Sequence, residues 1–201
     1  GILLPKSSKV VMQIHYSSRA GVVAPDVTTV GINYTTAPVK KRFRTLPLVN
    51  QTFKIPPGAS SYPVTVSVPV IPIGVHVLSI FPHMHLLGQT MSAEVTALDG
   101  TKTCLVEVPD WDFQWQGNYA YKTPIGILPG MRIDLTATYN NSTSNPENPN
   151  FPPREVGWGE NTTDEMCLAF LGLTFDYENL SVNPADAGKT LKDVGFRSGA
   201  E

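Results

Sequence analysis

The sequence predicts an all-β fold, an antiparallel β-sandwich of jelly-roll type. Helical periodicity is almost absent from the 201 residues, whereas short runs rich in Val, Ile, Thr, Tyr and Phe recur throughout. Clusters of Pro, Gly and Asn separate those runs and supply the turns between them. About ten antiparallel strands with long connections favour two packed sheets over a closed barrel.

The series opens with residues 10–16 (VVMQIHY) and 27–35 (VTTVGINYT). Residues 45–55 follow the basic run Lys40-Lys41-Arg42-Phe43-Arg44 and stop at Pro56-Pro57-Gly58. Next come 62–70 and 74–81, the latter leading into a pair of histidines. Residues 89–98 and 103–108 flank Asp99-Gly100, which supplies the positive φ of a tight hairpin turn. Residues 119–127 and 131–139 are divided by Pro129-Gly130. Residues 140–153 hold too much Pro and Asn for a regular element, and a loop of that length is often functional. The last expected strand is 165–177. Residues 1–182 therefore read as one sandwich domain, and 183–201, which lose apolar periodicity, as a polar tail or linker.

A chain with 41% hydrophobic residues can bury one good core. A net charge of -2, with 16% charged residues, gives no basis for binding nucleic acid or an anionic membrane. The single basic run reads as a solvated strand end or loop. No stretch approaches the eighteen or so apolar residues that span a bilayer, and no signal peptide is recognisable. Opening at Gly1 and running almost at once into a strand, the chain reads as a piece of a longer polypeptide. Two Cys, Cys104 and Cys167, fit one disulfide or two thiols, and no Cys-x-x-Cys argues for zinc or redox exchange.

The chemistry gathers at Phe81-Pro82-His83-Met84-His85-Leu86-Leu87-Gly88. Two imidazoles at i and i+2 leave an extended strand on one face and can reach one metal ion. Taken alone, the pair reads equally well as ordinary strand histidines, and Met166 alone reads as core packing. Together they make a soft donor set, because a thioether binds Cu(I) well and contributes little to zinc, calcium or magnesium. Zinc with Asp164 or Glu165 as a carboxylate ligand is a rival. A blue-copper site would need a Cys thiolate beside Met166, yet the adjacent Cys167 points to the opposite face of a strand. Pro82 places the motif on an edge strand or at a bulge. His76 falls on the other face by strict alternation, unless a bulge at Pro82 changes the parity. Trp111, Phe113 and Trp115 alternate as on one strand face, in the core or along a pocket.

His-x-His followed by two apolar residues and Gly, together with Thr163-Asp164-Glu165-Met166-Cys167, resembles the copper type II, ascorbate-dependent monooxygenases. These are the relatives of dopamine β-monooxygenase and peptidylglycine α-hydroxylating monooxygenase. The resemblance implies an antiparallel β-sandwich and a copper held by His83, His85 and Met166. It implies hydroxylation of a substrate C–H bond with dioxygen, and ascorbate as electron donor. His15, in Gln13-Ile14-His15-Tyr16, resembles one ligand of a second, electron-storing copper whose other ligands are adjacent histidines of a preceding domain. No His-His pair occurs here, so an upstream partner domain is implied. Peptide-amidating members carry a basic residue at the position of Phe81, and an Asn and a Tyr at those of Leu168 and Phe170. These departures point to an apolar or aromatic small-molecule substrate. The family's pattern also implies a disulfide at Cys167, for which Cys104 is the one available partner, and copper and oxygen chemistry favour an extracytoplasmic setting, secreted or periplasmic. The alternative function is a copper-binding or copper-sensing module without catalysis.

Overall fold

The computed structural model describes residues 1–14, 16, 25–189 and 192–195. Among these, the strands in chain order are β1 (Arg44–Asn50), β2 (Lys54–Ile55), β3 (Tyr62–Val68), β4 (Val75–His83), β5 (Gly88–Thr96), β6 (Lys102–Val108), β7 (Tyr119–Ile127), β8 (Arg132–Tyr139), β9 (Val156–Gly157) and β10 (Cys167–Phe175). They form two four-stranded antiparallel sheets, β1-β10-β4-β7 and β3-β8-β5-β6, and a β2–β9 ribbon. With the ribbon set aside, the eight longer strands run first-eighth-third-sixth in one sheet and second-seventh-fourth-fifth in the other. That alternation between sheets is the jelly-roll order, as the sequence predicts.

Period-two patterning decides which side chains face the core. In β8, Ile133, Leu135, Ala137 and Tyr139 are buried while the intervening residues are partly open. They meet Ile80, Leu171 and Phe175 in a single apolar cluster. Each such side chain contributes about 1.5–3 kcal/mol on full burial. Tyr139 also ties the sheets together, stacking on Phe53 at 5.7 Å and donating its hydroxyl to the carbonyl of Met166 at 2.9 Å. The predicted turns form as the residues demand: Gly100 and Gly130 adopt φ of 86° and 90°.

Several expectations differ from the structure. Residues 10–14 and 27–35 form no strand, and Val10, Met12, Ile14, Val30, Ile32 and Tyr34 are exposed. Neither segment pairs with a sheet edge, and strand propensity without a cross-strand partner does not hold a strand in water. The 45–55 run divides into β1 and β2 because Asn50 Oδ1 accepts the Thr52 N–H at 2.9 Å and turns the chain. Residues 111–115 form a loop rather than a strand. The segment after 182 makes short 3-10 turns at Pro184–Gly188 and Lys192–Val194, and the Lys189 carbonyl accepts from Arg42 Nη2 at 2.7 Å. No helix of the described residues is long and apolar enough to cross a membrane.

Cys104 and Cys167 are both free, which corrects the expected disulfide. Cys104 is exposed on β6 of one sheet, whereas Cys167 is buried at the start of β10 in the other. Cys167 belongs to the apolar core, and Cys104 does not.

Candidate metal centre

The central strands β4 and β10 bring the two motifs together. Their register pairs Phe81 with Phe170 and His83 with Leu168, and paired residues share a face of the sheet. The ladder ends at the His83–Leu168 rung, and just beyond it the backbone N–H groups of His85 and Met166 share Glu165 Oε1 as acceptor. Cys167 is buried against Tyr139, so alternation sends Met166 to the opposite, outer side. The ring centroids of His83 and His85 lie 5.2 Å apart at an interplanar angle of 86°.

Both imidazoles are held in one tautomer. His83 Nδ1 lies 2.6 Å from Gln116 Oε1, and Gln116 Nε2 donates to the Phe113 carbonyl at 2.9 Å, which fixes the amide with its oxygen toward the ring. An amide oxygen only accepts, so His83 Nδ1 carries the proton. His85 Nδ1 lies 3.1 Å from the Asp164 carbonyl and donates in the same way. Both Nε2 atoms are left with their lone pairs. Burial pulls both imidazoles below the ordinary histidine range. The Gln116 bond opposes that shift at His83; at His85 the Asp164 carbonyl opposes it and the His83 charge adds to it. Neutral imidazole is the form that binds a metal.

Glu165 locks the frame. Its side chain is fully buried; Oε1 accepts the backbone N–H groups of His85 and, at 2.8 Å, Met166, and Oε2 accepts that of Leu87 at 2.9 Å. Burial pushes its carboxyl up to about 8, against the N–H groups of Met166, His85, Leu87 and Gly88, which favour the anion. Trp111 Nε1 donates to the His85 carbonyl at 3.1 Å, and Phe113 meets the His85 ring edge-on at 6.0 Å.

The donor set fits a soft metal better than zinc. Glu165 spends its oxygens on backbone N–H groups, and Asp164 Oδ2 accepts from Asn161 Nδ2 at 2.8 Å. Among the described residues no three His, Cys, Asp or Glu side chains converge on one point.

Pro82 lies in β4, a central strand, but β7 pairs with β4 only from Val75 to Ile80. Beyond Ile80 the strand has a neighbour on one side alone, which accommodates the missing N–H. The bulge falls at Val77–Ser79 rather than at Pro82. His76 lies near the far end of β4, its Nδ1 2.5 Å from Asp176 Oδ1. Of the expected aromatic trio, Trp111 and Phe113 flank His85, and Trp115 is exposed. His15 lies outside the described residues. Gln116 carries no sequence signal, being 33 residues from His83 in an irregular loop.

Comparison with curated proteins gives no match. A solved structure described as that of the infectious bursal disease virus Gx strain matches at 13% identity and a TM-score of 0.30. The match covers 87% of this chain and 50% of that one, and is too loose to bear on fold or function. The copper type II ascorbate-dependent monooxygenase C-terminal domain, in contrast, matches residues 44–182, a span that includes both motifs. The chain belongs to the copper type II ascorbate-dependent monooxygenase family, matched through that family's C-terminal domain.

Proposed function

We propose that this domain hydroxylates a substrate C–H bond at a copper held by His83 Nε2, His85 Nε2 and the Met166 thioether. The observation that carries this reading is the pinning of both Nδ1 protons, on Gln116 Oε1 and on the Asp164 carbonyl, which leaves two neutral nitrogen donors on rings 5.2 Å apart. When bound, copper supplies activation of dioxygen and one-electron chemistry. The residues hold the donors in place: Gln116 and Asp164 fix the ring orientations, and Glu165 fixes the distance between the two strand ends. One oxygen atom enters the C–H bond and the other leaves as water, with two electrons and two protons from a reductant such as ascorbate.

Full turnover in this reading uses an upstream domain bearing the remaining ligands of a second copper, with His15 as the contribution of this chain. The exposure of Val10, Val11, Met12 and Ile14, and of Val27, Val30, Ile32 and Tyr34, supports a partner surface along these segments. An extracytoplasmic setting accords with copper and oxygen chemistry.

The test supplies the copper-loaded protein, joined to its upstream domain, with ascorbate, 18O2 and a mixture of small aromatic compounds. Incorporation of one 18O atom into a product, lost in His85→Ala, is expected. Tight copper binding with no labelled product would instead assign a non-catalytic copper-binding module.

A further inference from the structure

The Asn- and Pro-rich loop that begins at Asn140 walls a cleft that the metal centre does not use. The floor of the cleft includes Thr90 of β5 and Thr138 of β8, which alternate with the buried Met91 and Ala137 and so lie on the outer face of the β3-β8-β5-β6 sheet. Its volume of about 400 Å³ is that of a small-molecule site, and none of His83, His85 and Met166 lines it.

The walls are held in place without a ligand. Buried Asn141 donates through Nδ2 to the carbonyls of Ile55, Pro56 and Arg154, and the Asn140 N–H donates to the Leu87 carbonyl at 2.7 Å. A bulge shapes another wall: Gly88 pairs with Tyr139 and Thr90 with Thr138, which leaves Gln89 as the extra residue of β5. By strict alternation Gln89 would share the core face of Met91, and the bulge brings it into the lining beside Thr90 instead.

Hydrogen-bonding groups of this lining are left over. Among the described residues the Gln89 amide and the Asp110 carboxylate have no protein partner. Asn140 Oδ1 accepts from the N–H and the hydroxyl of Ser142, which leaves its NH2 group unspent. Thr90 and Thr138 share one hydrogen bond at 2.7 Å, which uses one of their two hydroxyl protons. Trp111 Nε1 is spent on the His85 carbonyl, so the half-buried indole offers the cleft carbon surface alone.

Donors and acceptors therefore stand together beside ring carbon. A hydrocarbon would strip them of water and return nothing, and an anion would meet Asp110, the one charged residue of the lining, with no cation to offset it. A hydroxyl both donates and accepts, and adjacent hydroxyls match the two polar atoms of an amide or a carboxylate. We infer that this cleft binds a neutral sugar residue, with vicinal hydroxyls on Gln89, Asp110 and Asn140 and the C–H face of the ring against Trp111.

Each such hydrogen bond replaces one with water, so a dissociation constant on the order of 1 mM is expected. The test follows 1H–15N spectra of the metal-free full chain during titration with glucose, maltose, cellobiose and lactose, and with glucuronate as the anion. At least one neutral sugar should shift the side-chain amides of Gln89 and Asn140 and the indole N–H of Trp111, with glucuronate about ten-fold or more weaker. Asp110→Ala and Gln89→Ala should each weaken that binding about five-fold. Asp110 is exposed, so its variant removes the contact without disturbing the fold, and Trp111 is left unaltered because it also holds the His85 carbonyl. Retention on cellulose that cellobiose competes away would assign a polymer as the source of the sugar, and disaccharide binding without retention a free saccharide; either supports the cleft. No shift with any neutral sugar at about 50 mM, glucuronate bound as tightly as the best of them, or wild-type binding in both variants would overturn it.

Discussion

Glu165 and His85 are joined through the main chain: the buried carboxyl of the one accepts the backbone N–H of the other, and with the same oxygen accepts the N–H of Met166. A single side chain thus spans the His-x-His strand end and the methionine. Being fully buried, it also has no solvent to replace those partners.

Glu165→Gln replaces an acceptor with an NH2 group aimed at N–H donors, and Glu165→Ala leaves those donors without a partner. Each should cost about 2–5 kcal/mol of stability, read from urea unfolding. Cu(I) affinity should fall in Glu165→Gln at temperatures where the variant is folded. Unchanged stability in both variants would remove Glu165 from its place as the link.

Gln116→Ala should act on the metal and not on the fold. It frees the His83 ring to rotate and change tautomer, so Cu(I) affinity should drop about 10–100-fold in competition against a chelator. Thermal stability should change by less than about 1 kcal/mol, since the residue is only half-buried in a loop. Affinity equal to wild type would show that His83 does not need its partner.

The jelly-roll class and eight long strands are legible because β-branched and aromatic runs alternate cleanly and Asp99-Gly100 and Pro129-Gly130 have only one local use. The β2–β9 ribbon is not, since two-residue strands have no period to detect. Residues 10–14 and 27–35 mislead because their pattern is that of a strand while no strand of the described residues pairs with them. His83, His85 and Met166 carry chemistry in their residue types, so the site's donors can be nominated from spacing. Gln116 and the Asp164 carbonyl reach their rings only through the fold.

The two thiols should behave differently. Cys104 is exposed, whereas burial pushes the Cys167 thiol up to about 11, against the hydrogen bond with Tyr139. A thiol reagent at neutral pH should label one cysteine in the native protein and two after unfolding in denaturant without reductant. Failure to label two thiols in unfolded, air-oxidised protein would indicate a bridge.

Acid should weaken the junction of β1 with the segment after β10. Burial alone would raise the Glu178 carboxyl, but hydrogen bonds from Arg44 and the Arg42 N–H, with both guanidinium charges, hold it below its ordinary 4.5. A carboxyl whose pKa is lower in the folded state contributes stability that is present above 4.5 and is lost as pH falls through the folded value. Glu178→Gln should therefore lose about 2–4 kcal/mol at pH 7 and show a flatter acid limb below pH 4.5 in unfolding curves. A limb as steep as that of wild type would assign acid sensitivity to another group.

The most direct measurement is X-ray absorption at the copper edge of the Cu(I)-loaded protein, compared with Met166→Ala, His83→Ala and His85→Ala. The expected result is about one tight copper per chain with two imidazole nitrogens and one sulfur, the sulfur scatterer vanishing in Met166→Ala and affinity collapsing in either histidine variant. Copper bound with the same affinity and the same scatterers in Met166→Ala and His83→Ala would contradict the assignment of the site.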